Sequence, residues 1–579
     1  MATPLGDWVL ALDGSTLPDK ALIGGKAWSI ARMGALGLRV PPAFVITTRA
    51  CAHYLHEGSE PASLAQEIAA GIAWLEQQTG RRFGAGPNPL LVSVRSGAPI
   101  SMPGMMDTVL NLGITDETEA LLAEECGDPG FARDTHRRFL DLYAHIVLKS
   151  ETALATDGRP ADWRNAIASD AGESVPGRVE EQLARAVHAV FESWNSRRAR
   201  RYREHHDIPH DLGTAVAVQA MVFGNMDENS GTGVLFSRNP LSGAPTPYGE
   251  YLARAQGEDI VSGKHTPQPL EALRTHMPHV HEELLTAARL LEDAGGDVQD
   301  IEFTLEKGTL YLLQTRAAKR APRAAVKIAV DMVAEGRIDP SEALARVSSE
   351  QVRTLLSPQL ANGAALGAEI AARGEAASPG IGTGAVVLDS DEAERRAANG
   401  EAVVLARATT SPNDLHGMIA ARAILTEQGG STSHAAVVGR ALGRPCVVGC
   451  GAGSLDALAG ETVTVDGQNG IVYRGALEVV TPHENDDAAL RQIAAWAAHQ
   501  SPVLVTSEPR NGVSVRFDEN IEQADALIAA LEPGATVEGA LFTNDDKAVR
   551  AVIAAGAATI VTSPALPALL AAAQAAGRE

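Results

Sequence analysis

Short apolar strands alternate with helical patterns over residues 1–325 of the chain. Runs rich in β-branched and other apolar residues predict strands at 41–48, 89–96, 214–223 and 231–237. Charged residues at helical spacing predict a largely helical stretch over 115–205. Two alternating runs within 300–316 meet at Lys307 and Gly308, whose turn chemistry predicts a β-hairpin. This part of the chain therefore mixes strands and helices.

The second half of the chain changes pattern twice. An Ala-rich helical stretch from about 326 is typical of a connector between two bodies, or of the outer helices of the first domain. Gly and Pro then open a compact α/β segment, and the remainder contains separate βα-like pieces such as SPVLVTS, GALFTN and AATIVTS. We expect a multidomain α/β and α+β protein, divided as 1–325, a helical linker at 326–377, 378–480, and a short α/β tail at 481–579.

Composition narrows the class of protein. With 579 residues the chain exceeds what one hydrophobic core usually holds, so several domains are expected. A net charge of −23 argues against nucleic acid or an anionic membrane as partner. Four cysteines that match no zinc pattern, and an N-terminus without a signal-peptide pattern, predict a cytoplasmic protein. The uncharged stretch Ala551–Gly577 contains prolines, which predict a strand over Ala558–Thr562, a turn and a short helix.

The predicted hairpin carries the first candidate chemistry. Because residues i and i+2 of a strand share a face, Asp300 and Glu302 project together, as do Gln314 and Arg316 on the partner strand. Two adjacent carboxylates repel each other unless a cation lies between them, which favours a Mg²⁺ platform with a phosphate-binding arginine nearby. The hairpin residues by themselves fit a solvated outer face as well.

Two further segments fit the handling of phosphate. Lys26 follows a diglycine and precedes a helical pattern, where backbone N–H groups and an ammonium can approach an anion. Arg95 ends a predicted strand and leads into a run of Met, Pro and Gly that is hard to explain as ordinary core. Methionines beside an arginine could flank an adenine or line a passage for phosphate.

Long strings around these residues resemble the nucleotide-binding domain of the pyruvate, phosphate dikinase family, which is an ATP-grasp fold. The strings are SVRSGAPISMPGMMDTVLNLG, GEYLARAQGEDIVSGKHTPQPL and QDIEFTLEKGTLYLLQTR, at 93–113, 249–270 and 299–316. The related phosphoenolpyruvate synthases share the fold but differ where MPGMMDTVLNLG stands here. The resemblance covers roughly residues 1–480.

The resemblance implies a role for each matching residue. It implies that Lys26, Arg95, Gln314 and Arg316 bind the phosphates or ribose of ATP, that Asp300 and Glu302 hold Mg²⁺, and that Gly104 and Met106 lie on a phosphate loop. Glu258 and Asp259 fall in a segment that borders the same site, although a solvated acidic turn would give the same pattern.

A second candidate group is His434. The segment from Ala423 to Arg440 is typical of a strand, a diglycine turn, a Ser/Thr cap and a helix, with the histidine in the first helical turn. There the helix dipole disfavours an imidazolium and favours an added anion, so a neutral ring nitrogen could attack phosphorus. An isolated histidine at a helix start more often caps or packs.

The string GGSTSHAAVVGRALGRPCVVG resembles the swivelling phosphohistidine domain, a β/β/α fold, of the dikinases and related phosphotransferases. The resemblance implies that ATP phosphorylates His434 with help from Arg95 and Arg316, as AMP and, after attack by phosphate, pyrophosphate leave. Thr432 matches a position that is a regulatory phosphorylation site in some dikinases, although it could only cap the helix.

The resemblance weakens after residue 480, where complete dikinases continue into a pyruvate-binding (β/α)₈ barrel of about 250 residues. The tail 481–579 matches only the opening of a barrel, so we expect a truncated remnant. Three interpretations follow. A separate barrel protein could pass the phosphoryl group to pyruvate, another acceptor could take it, or the chain could be a non-catalytic nucleotide-binding regulator.

Overall fold

The computed structural model describes most of the chain. The described residues are 3–100, 102, 106–206, 208–261, 265–356, 359–361, 363–378, 380–442, 444–480, 482–517, 524–539 and 541–576. None of the helices in these ranges combines the length and the apolar character that a membrane span needs. Short 3₁₀ helices lie at His210–Leu212, Pro412–Asp414, Asp456–Leu458 and Glu484–Asp486.

The first part of the chain forms an antiparallel sheet flanked by helices. Its strands are β1 Thr3–Pro4, β2 Val9–Ala11, β3 Ala43–Ile46, β4 Arg82–Phe83, β5 Pro89–Leu90, β6 Val92–Gly97, β7 Thr108–Leu112 and β8 Ala215–Ala220. Its helices are α1 Lys20–Ala35, α2 Thr48–Glu57, α3 Leu64–Thr79, α4 Asp116–Cys126, α5 Pro129–Ile146, α6 Pro160–Ala171, α7 Val179–Ser193 and α8 Arg197–His205. Six of these strands form the sheet, in the order β1-β2-β3-β8-β6-β7, so β6 lies between β8 and the edge strand β7, while β4 and β5 pair with each other.

A second, antiparallel sheet follows in the chain. It contains β9 Gly231–Phe236, β10 Tyr248–Ala253, β11 Gln268–Pro269, β12 Gln299–Glu306 and β13 Thr309–Ala317, with helices α9 Gly257–Val261, α10 Glu271–His276 and α11 Pro278–Gly295. The strand order is β11-β10-β9-β12-β13. The predicted hairpin is confirmed, since Lys307 and Gly308 both have positive φ and join β12 to β13. The predicted strands at 41–48, 89–96, 214–223 and 231–237 are confirmed as well.

Helices α12 Pro322–Ala334, α13 Pro340–Arg346 and α14 Ser349–Leu355 come next, where a helical linker was predicted. An eight-stranded sheet follows, in the order β15-β22-β21-β17-β18-β19-β20-β16. The strands of this region are β14 Gln359–Leu360, β15 Ile370–Arg373, β16 Glu375–Ser378, β17 Ile381–Val387, β18 Val403–Arg407, β19 Ala423–Thr426, β20 Cys446–Val448, β21 Thr462–Asp466, β22 Ile471–Arg474 and β23 Val479–Val480. Its helices are α15 Ser390–Ala398, α16 Leu415–Ala420 and α17 His434–Leu442. The sheet begins at Ile370, ahead of the predicted domain start at 378, because β15 pairs with β22.

The last part of the chain holds a small parallel sheet in the order β24-β27-β26-β25. Its elements are α18 Ala488–Gln500, β24 Leu504–Thr506, β25 Val515–Arg516, α19 Ala524–Ala529, β26 Thr536–Glu538, α20 Leu541–Asn544, α21 Asp546–Ala554, β27 Thr559–Val561 and α22 Leu566–Ala576. The strand and the short helix predicted within Ala551–Gly577 are confirmed as β27 and α22. The strand predicted at GALFTN lies before that string, at β26, and the residues Leu541–Asn544 form α20 instead.

The connector helices do not stand apart from the tail. Val326 and Ile328 of α12 share one buried apolar cluster with Ile493 of α18 and Leu570 of α22. Strands β14 and β23, which enter and leave the eight-stranded sheet region, pair antiparallel with each other. The connector and the tail therefore form one helical body, and the eight-stranded sheet is inserted into it.

Candidate active site

The β12–β13 hairpin places two carboxylates opposite a guanidinium and an amide. Its register pairs Asp300 with Arg316 and Glu302 with Gln314. Arg316 Nε donates to Asp300 Oδ2 over 2.7 Å. From β6 of the other sheet, Arg95 donates to Gln314 Oε1 over 3.2 Å and lies 3.5 Å from Glu302 Oε2. The two sheets thus bring together the residues that the period-two pattern and the resemblance had singled out separately.

A break in helix α1 places Lys26 beside this hairpin. The sequence predicted a loop ahead of a helix, but the helix begins at Lys20 and is interrupted at Gly24, which has φ 72° and ψ 166°. A Cβ at Gly24 would lie 1.8 Å from the carbonyl oxygen of Gly97 at the end of β6, so this approach requires glycine. The close contact with β6 holds Lys26 near the strand that carries Arg95.

The Lys26 side chain has a lowered pKa and therefore holds its proton less tightly than an ordinary lysine. Burial lowers the pKa of Lys26 to about 7, repulsion from Arg95 and Arg316 lowers it as well, and the nearby Glu302 carboxylate acts in the opposite direction. The Asp300 carboxylate raises the pKa of Arg316, which keeps that guanidinium charged. Three cationic side chains that converge in this way are suited to a polyanion such as a triphosphate.

A cavity of about 820 Å³ opens between the two sheets and extends to the histidine-bearing sheet. The predicted site residues that line it are Lys26, Arg95, Met106, Glu258, Glu302, Gln314, Arg316, Thr432 and His434. Gly104 lies outside the described residues. Asp259 and Asp300 are described but do not line the cavity. A cavity of this size is in the range of small-molecule sites.

Asp259 and Asp300 are engaged by arginines instead. Asp259 Oδ1 accepts from Arg138 over 2.7 Å, and its Oδ2 accepts from the Gln256 backbone N–H over 2.8 Å. Asp300 is buried behind Arg316. The segment that carries Asp259 borders the cavity, as expected, but its carboxylate ties the start of α9 to helix α5, so binding of ligand by Asp259 stays a prediction.

His434 is the first residue of helix α17. Its Nδ1 lies 3.2 Å from Thr410 Oγ1, and its Nε2 is buried without a hydrogen-bond partner among the described residues. Burial lowers the pKa of His434, while the Asp414 carboxylate acts in the opposite direction. With Nδ1–H donating to Thr410, the neutral ring keeps the Nε2 lone pair for an electrophile. The histidine and the cationic hairpin line one cavity.

Known proteins combine the same two regions. The family model for the pyruvate phosphate dikinase AMP/ATP-binding domain matches residues 20–60 and 59–282, and that for the mobile domain of PEP-utilising enzymes matches 399–470. A pyruvate, phosphate dikinase of Clostridium symbiosum is 41% identical over 530 residues, or 85% of this chain and 60% of that protein. The chain belongs to the pyruvate, phosphate dikinase family.

Other members of the family match over similar lengths. Pyruvate, phosphate dikinase 1 of Zea mays, a chloroplastic protein, is 41% identical over 93% of this chain and 60% of its own length. The pyruvate, phosphate dikinase of Rhizobium meliloti is 42% identical over 83% of this chain and 58% of its own length. The chain therefore spans about three fifths of the length of these curated relatives.

Besides the shared cavity, a set of hydrogen bonds joins the second antiparallel sheet to the histidine-bearing region. Thr432 Oγ1 donates to Glu250 Oε2 over 2.5 Å, and Ser431 Oγ donates to Glu250 Oε1 over 3.1 Å. Tyr248 OH lies 2.7 Å from Ser431 Oγ and donates to Glu375 over 3.1 Å. Burial raises the pKa of the Glu250 carboxyl, and the nearby Glu375 carboxylate adds to the effect. We name these five side chains the docking contact.

Sequence reasoning missed Glu250 and Thr410. Glu250 lies within a string that carried the family resemblance, but nothing in its spacing connects it to Thr432, which is 182 residues away. Thr410 precedes Ser411 and Pro412 in a loop, and nothing in its spacing connects it to His434, which is 24 residues away. Only the folded arrangement places each of them against the helix that begins at His434.

Proposed function

We propose that this chain transfers phosphate from ATP to its own His434 as the first part of a pyruvate, phosphate dikinase reaction. Nε2 of His434 attacks the β-phosphorus of ATP, the bond from that phosphorus to the α–β bridging oxygen breaks, and AMP leaves. Inorganic phosphate then attacks the γ-phosphorus of the pyrophosphohistidine. The β–γ bridge breaks, pyrophosphate leaves, and the β-phosphoryl group stays on the histidine.

The observation that carries the proposal is the unpartnered Nε2 of His434 in the cavity that Lys26, Arg95 and Arg316 also line. Phosphoryl transfer asks a protein mainly for positioning and for neutralisation of charge on the phosphate oxygens. The three cations supply the neutralisation. Thr410 holds the ring, and the lowered pKa of His434 keeps the nitrogen unprotonated at neutral pH.

The two carboxylates of the hairpin differ in how accessible they are to a divalent cation in the cavity. Glu302 lines the cavity and offers its oxygens there, whereas Asp300 is buried and accepts a hydrogen bond from Arg316. We propose that Glu302, supported by the second oxygen of Asp300, holds Mg²⁺ with the triphosphate. When bound, Mg²⁺ would offset charge on the phosphate oxygens.

The final acceptor is proposed from the names of the relatives. All three relatives described above are named pyruvate, phosphate dikinases, which favours pyruvate as the acceptor of the phosphoryl group from His434. Transfer to an acceptor would require the docking contact to open, as in the swivelling motion that the resemblance implies. The predicted barrel that binds pyruvate, whether separate or not, stays a prediction.

The test uses isotopically labelled ATP and the purified chain. With β-³²P-ATP, Mg²⁺ and phosphate, the protein should take up acid-labile label, and His434→Ala should take up none. With γ-³²P-ATP, label should remain on the protein only when phosphate is omitted. His416→Ala is the matched control, because His416 lies in the same domain but does not line the cavity.

Each outcome has a clear meaning. Label in the wild type and in His416→Ala, but not in His434→Ala, would support the half-reaction. Bound ATP without label in the wild type would contradict it and leave a nucleotide-binding regulator. Pyruvate added to the labelled chain then tests the acceptor, since radioactive phosphoenolpyruvate forms only if the chain binds pyruvate.

A further inference from the structure

Two residues that line the cavity carry buried polar atoms without a partner among the described residues. One is His434, through Nε2, and the other is Gln256, through both Oε1 and Nε2 of its amide. Gln256 is only 3% exposed. Buried amides in native proteins are nearly always hydrogen-bonded, so a cavity-lining amide with neither atom bonded points to a ligand that supplies the bonds.

The backbone of Gln256 is held firmly while its side chain is not. Its N–H donates to Asp259 Oδ2 over 2.8 Å, and its carbonyl accepts from the Asp259 N–H over 2.9 Å. Asp259 is fixed in turn by Arg138 at 2.7 Å. The turn therefore fixes the Cα of Gln256 without using the amide. Asp259 therefore holds the turn that carries Gln256 and does not line the cavity itself.

Gln256 lies near a pair of threonines in the cavity wall. A Cβ on the next residue, Gly257, would be 3.8 Å from Thr232 Oγ1. The register pairs Thr232 with Thr304, whereas Val234 pairs with Glu302, so this threonine pair lies two residues, or about 7 Å, along the sheet from the carboxylate.

The turn that carries Gln256 adds one acidic side chain, Glu258, to the cavity lining, and the other lining side chains around this position are neutral. Val222, Ile260, Thr232 and Thr304 belong to this group. The cations Lys26, Arg95 and Arg316 line the cavity beside Glu302 and Gln314 instead. A neutral amide set apart from these three cations suits an uncharged heterocycle rather than a phosphate.

We propose that the Gln256 amide binds the edge of the adenine base and selects for its 6-amino group. The amide oxygen would accept from the amino group while the amide N–H₂ donates to the adjacent ring nitrogen, the bidentate pairing that glutamine makes with adenine. This inference rests on the proposed function, in which ATP occupies the cavity. The proposal concerns recognition of the base, which the residues proposed to bind the phosphates cannot distinguish.

The test compares two nucleotides in two proteins. The probes are ATP and purine riboside 5′-triphosphate, which lacks the 6-amino group, and affinities are measured by calorimetry in the His434→Ala background so that no nucleotide is consumed. The two proteins are His434→Ala and the double variant His434→Ala, Gln256→Met. The Gln256→Met change keeps the length of the side chain and removes both polar atoms. We expect the protein with Gln256 to prefer ATP by roughly tenfold or more, and the Met variant to bind both nucleotides nearly equally.

A preference that persists unchanged in the Met variant would overturn the proposal. Equal affinity of the protein with Gln256 for the two nucleotides would overturn it too, and this arm does not depend on the variant folding. The Gln256→Glu variant, which keeps an acceptor for the 6-amino group but loses the donor, should retain part of the preference. Failure of the proposed function is distinguishable, since it appears as missing label on His434 in the wild type, whatever the nucleotide preference.

Discussion

The hairpin end of the cavity and the docking contact both bury carboxylates, but they treat them differently. At the hairpin, Asp300 is paired with Arg316 at 2.7 Å within one sheet. At the docking contact, Glu250 accepts from the hydroxyl groups of Ser431 and Thr432, which lie in the turn before α17, and the charge that acts on its pKa is the like-charged Glu375 carboxylate. One arrangement neutralises a charge permanently, and the other leaves it only partly satisfied.

The difference suggests which region stays assembled and which one opens. Breaking a buried ion pair leaves an isolated charge and is strongly unfavourable, so the hairpin is built to keep its shape. Hydroxyl donors on a carboxylate can be exchanged for water at a small net cost when the two surfaces separate. A contact of this kind suits the proposed departure of the histidine-bearing domain from the cavity.

Removing Arg316 should have the largest effect. In Arg316→Met we expect the rate of labelling of His434 to fall by roughly 10²–10³-fold, because the developing charge on phosphate loses a donor. The free energy of unfolding should fall by about 3 kcal/mol, because Asp300 is left buried and unpaired. Labelling kinetics and denaturant melts measure the two losses. In the Asp300→Asn, Arg316→Met double variant, stability should return and labelling should not. Recovery of both would mean that Arg316 only supports the fold.

A negative charge at Thr432 should break the docking contact. Thr432→Asp places a carboxylate beside Glu250 and Glu375, and like charges across an interface cost several kcal/mol. We expect labelling of His434 to slow by roughly a hundredfold. Thr432→Val, the matched variant, loses one hydrogen bond and should slow labelling only a few-fold. Adding Glu250→Gln to Thr432→Asp should restore part of the rate. Equal rates for the Asp and Val variants would contradict the electrostatic explanation.

Docking should become weaker as pH rises. Burial and the Glu375 carboxylate raise the pKa of Glu250 when the surfaces are joined, so the docked state holds its proton more tightly than the separated state. The contribution to docking is thus complete below the ordinary pKa of 4.5 and is lost as pH rises through the raised value. The Ser431 and Thr432 hydroxyls oppose this shift, and Tyr248 adds no charge at these pH values.

Energy transfer between dyes on the two domains would follow this change, which we expect to be a few-fold in the docking equilibrium. In Glu250→Gln the group cannot titrate, so the pH dependence between 4.5 and neutrality should flatten. An unchanged profile in that variant would assign the titration to another group.

The smallest expected effect is the uptake of a fraction of a proton by Lys26 when ATP binds. Since burial lowers the pKa of Lys26 to about 7, about half of these ammonium groups are neutral at pH 7 before ATP binds. A bound triphosphate favours the charged form, so binding should take up about half a proton at this site and should weaken as pH rises above 7. Calorimetry in buffers of different ionisation enthalpy measures the uptake. It should be lower by that amount in Lys26→Met, and equal uptake in both proteins would refute the assignment.

The parts of the site that follow from local patterns could be predicted. The hairpin and its facing residues follow from a period of two and a Lys-Gly turn, both of which lie within a few residues. The position of His434 at the start of a helix follows from the diglycine turn before it. These features depend on residues that are close together in the chain, so the sequence alone is enough to predict them.

Features that depend on distant partners could not be predicted. The interruption of α1 at Gly24 exists because the backbone of Gly97 approaches it, and no pattern around Gly24 announces that contact. The role of Asp259 depends on Arg138, and that of Glu250 on Thr432. The connector offered two interpretations, and the structure adds another, since α12–α14 share a core with helices of the tail.

The pairing of β14 with β23 has a practical consequence for anyone who rearranges this chain. Leu360 lies opposite Val479, so the backbone enters and leaves the eight-stranded sheet region at neighbouring points. A segment anchored in this way can be excised and its ends rejoined by a short turn, or replaced by an unrelated module, without changing the distance that the host must span. The histidine-bearing region is thus an insertion whose two ends lie side by side, and the connector and tail are the host in which an exchange would be made.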